Sequence, residues 1–257
     1  MGVEGAAIAT NIGRGAGVLM QLWILFRGGK HIRILGSQLV LRGSVMLNIV
    51  RTSLGGTGQM IIATTSWIFL LRILASIGSE AVAGATIGIR IMMFTLMPAW
   101  GMSNAAATLV GQNLGAQQPE RATAAVWRIG WYNMVFTLSV SVLFFFFHDR
   151  IVAIFSDDAR VIAIGGEWLR ILSYSYFVYG WWMVSVQAYN GAGDTMTPTW
   201  INLVFFWMIQ IPLSWLLAIQ LGWQHSGEYL GTFVSETSVG LFTLWLFSRG
   251  GWKKAQV

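Results

Sequence analysis

The sequence predicts an all-α integral membrane protein of about seven transmembrane helices, and three observations carry that prediction. Of the 257 residues, 55% are hydrophobic and 10% charged, where a soluble domain carries about 25% charge. The apolar residues gather into long unbroken runs instead of alternating as barrel strands do, and a bilayer core needs about 20 such residues per helix. Lysines and arginines stand at the ends of those runs. The same composition excludes intrinsic disorder. With no cysteine, a disulfide framework, a thiolate metal site and a cysteine nucleophile are excluded as well.

The first run, Gly5 to Phe26, carries Ala9, Gly13 and Gly17 at four-residue spacing, a small-residue face that expects a neighbouring helix. Its basic flank, Arg27, Lys30 and Arg33, follows the run, the reverse of a secretory signal. The stretch on to Arg51 mixes charges with Leu35, Leu39, Val40, Val45, Leu47 and Ile49, and reads either as a segment lying along the cytoplasmic interface or as a solvated connector. The second run spans Thr52 to Ile77 and the third Ala81 to Val110, with Gly84 and Gly88 again at small-residue spacing. Pro98 removes a ladder hydrogen bond and crowds the preceding turn, so a kink is expected there, with Pro98 and Gly101 as hinge candidates. The remaining runs are Thr123 to Phe147, ending in four phenylalanines, then Trp168 to Tyr189, Thr199 to Leu221 and Tyr229 to Phe247. The domain division expected is residues 1–26, a helix; 27–51, a basic linker; 52–248, a six-helix lobe; and 249–257, a basic tail.

Basic residues retained on the cytoplasmic side set membrane orientation. If the connection after the first run is cytoplasmic, Arg27, Lys30, Arg33, Arg42, Arg51, Arg121, Arg128, Arg249, Lys253 and Lys254 lie inside. Arg72, Arg150, Arg160 and Arg170 then lie outside among six carboxylates. The bias of about ten to four favours an outside N-terminus and a cytoplasmic C-terminus. The net charge of +6 is explained by this placement, so no nucleic-acid partner is expected; membrane lipids are.

Polar residues inside the runs are the candidate functional groups. Glu236 lies near the middle of the last run, at a depth where a carboxylate costs a few kcal/mol and faces a bundle interior or wet cavity. It is the candidate for proton or cation coupling, with a structural carboxylate paired to a neighbouring helix as the bland alternative; Arg14 and Arg90 are candidate partners. Gln59, Asn104, Asn133, Gln187, Asn202 and Gln210 supply neutral hydrogen-bonding capacity, mostly for bridging helices. Gln59, Asn104 and Gln187, with Trp181 and Met97, are candidates for a substrate path. No catalytic residue, organic cofactor or metal site is expected: Gly13-Arg14-Gly15-Ala16-Gly17 lacks the spacing of a dinucleotide loop, no Walker lysine motif occurs, and His31, His148 and His225 fall in separate connections.

Three segments carry a family resemblance. Met97-Pro98-Ala99-Trp100-Gly101-Met102-Ser103-Asn104-Ala105 followed by Val110-Gly111-Gln112-Asn113-Leu114-Gly115-Ala116 resembles the proline-containing helix and V-G-Q-N-x-G-A turn of the multidrug and toxic compound extrusion (MATE) family. Asn190-Gly191-Ala192-Gly193-Asp194-Thr195-Met196-Thr197-Pro198 is similar to its R-G-A-G-D-T-x-T-P loop, with Asn190 in place of arginine. The end, Arg249-Gly250-Gly251-Trp252-Lys253, resembles its basic tail. The resemblance implies that residues 1–26 correspond to the last helix of the family's N-terminal lobe and the later runs to its C-terminal six-helix lobe, so that the chain is a fragment, a truncated product or one part of a split transporter. By the same resemblance it serves a secondary antiporter of the cell inner membrane, exporting amphipathic organic cations or other xenobiotics for H⁺ or Na⁺. Such an antiporter needs a missing N-terminal half or a second copy. Ala63 or Thr64 falls where the NorM branch carries an acid, and Glu236 matches a carboxylate of the DinF-like branch, which favours the latter. A non-transporting membrane scaffold or regulatory subunit, or a lipid-linked precursor flippase, are the alternatives.

Overall fold

The computed structural model describes residues 3–28, 34, 35, 37 and 39–254. The chain divides into two compact units, Met1–Val50 and Arg51–Val257. In the first, α1 (Val3–Arg27) carries Glu4 in its first turn and Arg27 in its last, each complementing the helix dipole. The Arg27 guanidinium lies 4.9 Å over the Trp23 ring. The helix stops at Gly28, whose φ of 85° suits a residue without a β-carbon. The expectation for the basic linker falls partly on residues 29–33, 36 and 38, outside the described residues. Helix α2 (Gly43–Ile77) begins well before the expected Thr52, because Gly43–Val50 is already apolar enough to continue the run.

The second unit holds the rest of α2 with α3 (Ser79–Gly115), α4 (Pro119–Val152), α5 (Ala159–Ser173) and α6 (Tyr176–Gly191). After them come α7 (Met196–Asn202), α8 (Ile211–Trp215) and α9 (Gln224–Ser248), with a short 3₁₀ turn at Gly251–Lys254. Among the described residues, five helical stretches are long and apolar enough to cross a membrane: α2, α3, α4, Met196–Gln220 and α9. Two of the expected runs are absent from that set. Helix α1 is continuous, but Glu4, Asn11, Arg14 and Gln21 break up its apolar run. The run Trp168–Tyr189 is divided between α5 and α6, neither long enough alone. Serine hydroxyls explain the division: Ser173 donates to Arg170 O, Ser175 to Leu172 O, and Ser141 of α4 to Ser173 O, so side chains satisfy carbonyls that an unbroken ladder would use.

The sixth run also departs from simple α-helix. Leu203–Gln210 and Leu216–Gln220 are π-helical and flank α8, which carries Pro212 in its first turn. Proline has no N–H to offer, and the wider ladder carries the chain past it: Ile211 N–H reaches Phe206 O. The Phe205 carbonyl accepts instead from Ser235 Oγ of α9 at 2.7 Å. Helix α3, by contrast, continues as α-helix on both sides of Pro98.

Close helix contacts follow the glycines of the third run. A β-carbon on Gly84 would stand 2.9 Å from the Gly165 nitrogen, and one on Gly88 2.5 Å from the Trp168 ring. One end of the unit is closed by Ala106, Val110, Ala122, Val126, Val184 and Ala188 around Phe247 and Trp252, so the Gly111–Ala116 turn and the tail share that end. The opposite end holds the Arg160–Glu80 contact at 3.2 Å and Asp158, whose carboxylate caps α5 by accepting from Arg160 N and Val161 N.

Candidate functional site

The last helix presents Glu228, Thr232 and Glu236 at four-residue spacing, which stacks them on one face. That face meets the Met196–Gln220 stretch, and both carboxylates are buried there. Glu236 is 3% exposed, and its Oε2 has no hydrogen-bond partner. It lines a cavity of about 40 Å³ with Ala63, Ser66, Trp67, Tyr179, Trp182, Phe206 and Gln210. The Trp182 indole N–H, in the same lining, is likewise unpartnered. Glu236 forms no ion pair among the described residues, and Arg90 lies exposed on α3; the partnership with Arg90 expected from the sequence is not made.

A directed set of hydrogen bonds connects this cavity to Glu228. Ser66 Oγ donates to Gln210 Oε1 at 3.1 Å, Gln210 Nε2 to Thr232 Oγ1 at 3.3 Å, and Thr232 Oγ1 to Glu228 Oε1 at 3.0 Å. Every donor points toward Glu228, which is 2% exposed and keeps Oε2 without a partner. Gln210 can join the two carboxylates' surroundings because its amide both accepts and donates.

At the start of α9 the chemistry changes to a half-buried surface cluster. His225 Nε2 lies 3.1 Å from Glu167 Oε2, and Ser226 Oγ donates to Glu167 Oε1 at 2.7 Å. Glu167 precedes the apolar run Trp168–Tyr189, and the hydrogen bond from His225 holds its carboxyl below the usual range, against the opposing effect of burial. His225 thus belongs to the first turn of α9 and His148 to the last turns of α4, where the sequence predicts connections; His31 lies outside the described residues.

The substrate-path candidates separate into two groups. Gln187 Nε2 donates to Asn104 Oδ1 at 2.6 Å, Asn190 Nδ2 to Gln187 Oε1 at 2.8 Å, and Gln59 Nε2 to Asn190 Oδ1 at 3.0 Å. This carboxamide chain ties α2, α3 and α6 together through Asn190, which the sequence marks only as the residue in place of the loop's arginine and not as a substrate-path candidate. Met97 is 61% exposed on α3, near Pro98 and Gly101, which are exposed too. Trp181, only 5% exposed, packs edge-on against Trp127 and Trp131 and donates to Met134 Sδ, away from the carboxamides. Asn133 bridges helices, donating to Gly180 O at 2.9 Å. The Gly191–Pro198 loop is built from its own sequence: Gly193 has a φ of 80°, and Asp194 accepts from Thr197 N and Thr197 Oγ1 to start α7.

A family profile described as MatE matches residues 57–216. The chain is 27% identical over 260 residues to a probable multidrug resistance protein NorM of Thermotoga maritima, covering all of this chain and 55% of that protein. It is 22% identical over 262 residues to the probable multidrug resistance protein YoeA of Bacillus subtilis, covering 56% of that protein. A crystal structure of a mutant of the Vibrio cholerae MATE transporter VcmN superposes with a TM-score of 0.87 at 21% identity, over 97% of this chain and 56% of that one. An outward-facing multidrug resistance MATE transporter superposes with a TM-score of 0.73 at 18% identity, over 79% of this chain and 45% of that one. The chain spans about half the length of the curated relatives it matches. These relatives are described as resistance proteins and transporters, not enzymes, and with the profile covering more than half of its residues this chain belongs to the MatE family of membrane transporters.

Proposed function

We propose that this chain is the C-terminal lobe of a secondary antiporter that exports amphipathic organic cations or other xenobiotics in exchange for H⁺ or Na⁺. It works by alternating access against an opposing lobe, supplied by an N-terminal half or a second copy. The observation that carries the reading is the Glu236 carboxyl, buried beside a small cavity with one oxygen unpartnered. A lone carboxyl kept in such a place is costly, and its use is to take up and release a cation. The cavity receives Ala63 from α2 and its acid from α9, while Thr64 is exposed, which supports the DinF-like assignment over a NorM-like one. In the proposed orientation the Gly111–Ala116 and Gly191–Thr195 turns and the tail face the cytoplasm, and the Glu167–His225 cluster faces outward.

The test is ethidium efflux from proteoliposomes containing the chain together with its opposing lobe. Wild type should respond to an imposed pH or Na⁺ gradient, and Glu236→Gln should lose that response while still binding ethidium. Efflux by Glu236→Gln with wild-type pH and Na⁺ dependence contradicts the proposal. The chain alone, as monomers, should give no coupled efflux.

A further inference from the structure

A buried carboxylate costs several kcal/mol unless a cation or several donors meet it, so each one needs its compensating charge identified. For Glu228 and Glu236 none stands on the described elements around α9: Arg51 and Arg72 of α2, which supplies Ala63, Ser66 and Trp67 to the Glu236 cavity, are exposed, and Lys253 and Lys254 belong to the turn after the end of α9. The stretch Met196–Gln220, which forms α7, α8 and both π-helical turns, has no ionisable residue. Helix α6 offers only Tyr176, Tyr179 and Tyr189. Helix α5 offers Arg160, engaged with Glu80, together with Glu167 and the exposed Arg170. On α9 itself the remaining groups are His225, turned to Glu167, and Tyr229, whose hydroxyl is unpartnered. Neither carboxyl has an ion pair among the described residues, and each retains one free oxygen.

We propose that Glu228 is a second proton-carrying carboxyl, the outer member of a pair with Glu236 on one face of α9, so that this lobe exchanges two protons and not one. The proposal extends the reading of Glu236 as a coupling group and rests on it. A proton fits better than a metal ion because the buried, unpartnered Oε2 of each carboxyl can take a proton alone, whereas a metal ion needs several oxygen ligands around it. The space beside Glu236, about 40 Å³, admits water but not a cation with its full hydration shell. At Glu228 the ligand set is one carboxyl and the Thr232 hydroxyl.

The hydrogen-bond directions explain how the two sites communicate. With Glu228 protonated, Oε1 accepts from Thr232 as a neutral acid does. Loss of that proton strengthens the Thr232 bond, because a charged acceptor binds a donor more tightly. Thr232 then orders Gln210, whose carboxamide lines the Glu236 cavity and holds Ser66. His225 and Ser226 lie just before Glu228 in α9 and hold the ionised Glu167 carboxylate of α5 at that end of the helix, a place for protons to arrive.

Infrared titration of the purified full chain in lipid bilayers tests this directly, since the carbonyl stretch of a protonated buried carboxyl is resolved from ionised surface groups. Wild type should lose two such bands as pH rises, Glu228→Gln should lose only one, and the surviving Glu236 band should titrate at a shifted pH. Thr232→Val, which keeps both acids, should move the Glu228 band without removing it, and Glu228→Asp gives a displaced band if the glutamine variant fails to fold. An unchanged pair of bands in Glu228→Gln overturns the proposal, as does disappearance of the Glu228 band on adding Na⁺ at constant pH. If Glu236→Gln instead leaves both bands intact while Glu228→Gln removes one, it is the Glu236 reading that fails.

Discussion

Trp252→Ala is expected to destabilise the second unit by about 3 kcal/mol or more, the range for deleting a buried indole. Trp252 is 1% exposed and stacks on Phe247 with ring centroids 5.0 Å apart and planes 10° from parallel. Its indole N–H donates to the Phe247 carbonyl at 3.3 Å, at the end of α9. Residues of α3, α4 and α6 surround the stacked pair, so truncation leaves a hole shared by four helices that cannot collapse onto any one of them. Trp252→Phe keeps the stacking and loses the hydrogen bond, and should cost about 1 kcal/mol. Reversible denaturation in detergent micelles measures both; an alanine variant within about 0.5 kcal/mol of wild type shows that the tail merely rests on the bundle.

Gly191→Leu is expected to prevent assembly of a folded lobe, and Gly191→Ala to cost about 1–3 kcal/mol, because overpacking here meets backbone. A β-carbon at this position would lie 2.3 Å from the Ala107 carbonyl oxygen and 2.7 Å from its Cα. Backbone atoms in the middle of α3 have no rotamer to escape into, so α6 itself must move and break the carboxamide chain formed by Gln187 and Asn190. Gly101→Ala is the contrasting case, since nothing stands within 4 Å of a β-carbon there; it should stabilise the exposed helix by up to about 1 kcal/mol. Thermal midpoints and the monodisperse fraction after extraction separate these outcomes. Equal behaviour of Gly191→Ala and Gly101→Ala would show that the close approach of α6 to α3 is not needed.

Local chemistry made the helical architecture legible in the sequence, and distant pairing hid most of the site. The runs could be found because bilayer length and charge placement act on contiguous residues. Gly84 and Gly88 pointed to a close contact because small residues at that spacing let another helix approach; Gly13 and Gly17, at the same spacing, have nothing within 4 Å of a β-carbon, so the pattern alone is not decisive. The break between α5 and α6 was hidden because it rests on Ser141, about a helix away, donating to Ser173 O. Nor did the π-helical turns show in hydropathy, although Pro212 inside an apolar run was a signal that could have raised them.

Glu236 stood out by its depth. Glu228 did not, because it falls just before the apolar window Tyr229–Phe247 and looks like an interfacial charge until α8 and the π-helical turn after Trp215 are seen to pack over it. There Ser214 Oγ donates to Glu228 O, and the Leu217 and Ala218 backbones approach Gly227. The spacing of Glu228, Thr232 and Glu236 was the available clue, since four-residue intervals put all three on one face. Gln210 was visible as a buried amide; that it couples Ser66 to Thr232 could be read only from the fold.

The central claim is that the second unit spans a membrane with its Gly111–Ala116 and tail end inside and its Glu167–His225 end outside, so that Glu228 and Glu236 stand between two aqueous phases. The natural absence of cysteine makes single-cysteine labelling unambiguous. With Ala116→Cys and Asp157→Cys, both at exposed positions, intact cells are treated with a membrane-impermeant maleimide. The account predicts labelling of Asp157→Cys in intact cells and of Ala116→Cys only after permeabilisation. Labelling of both from the same face, or of Ala116→Cys alone from outside, contradicts it.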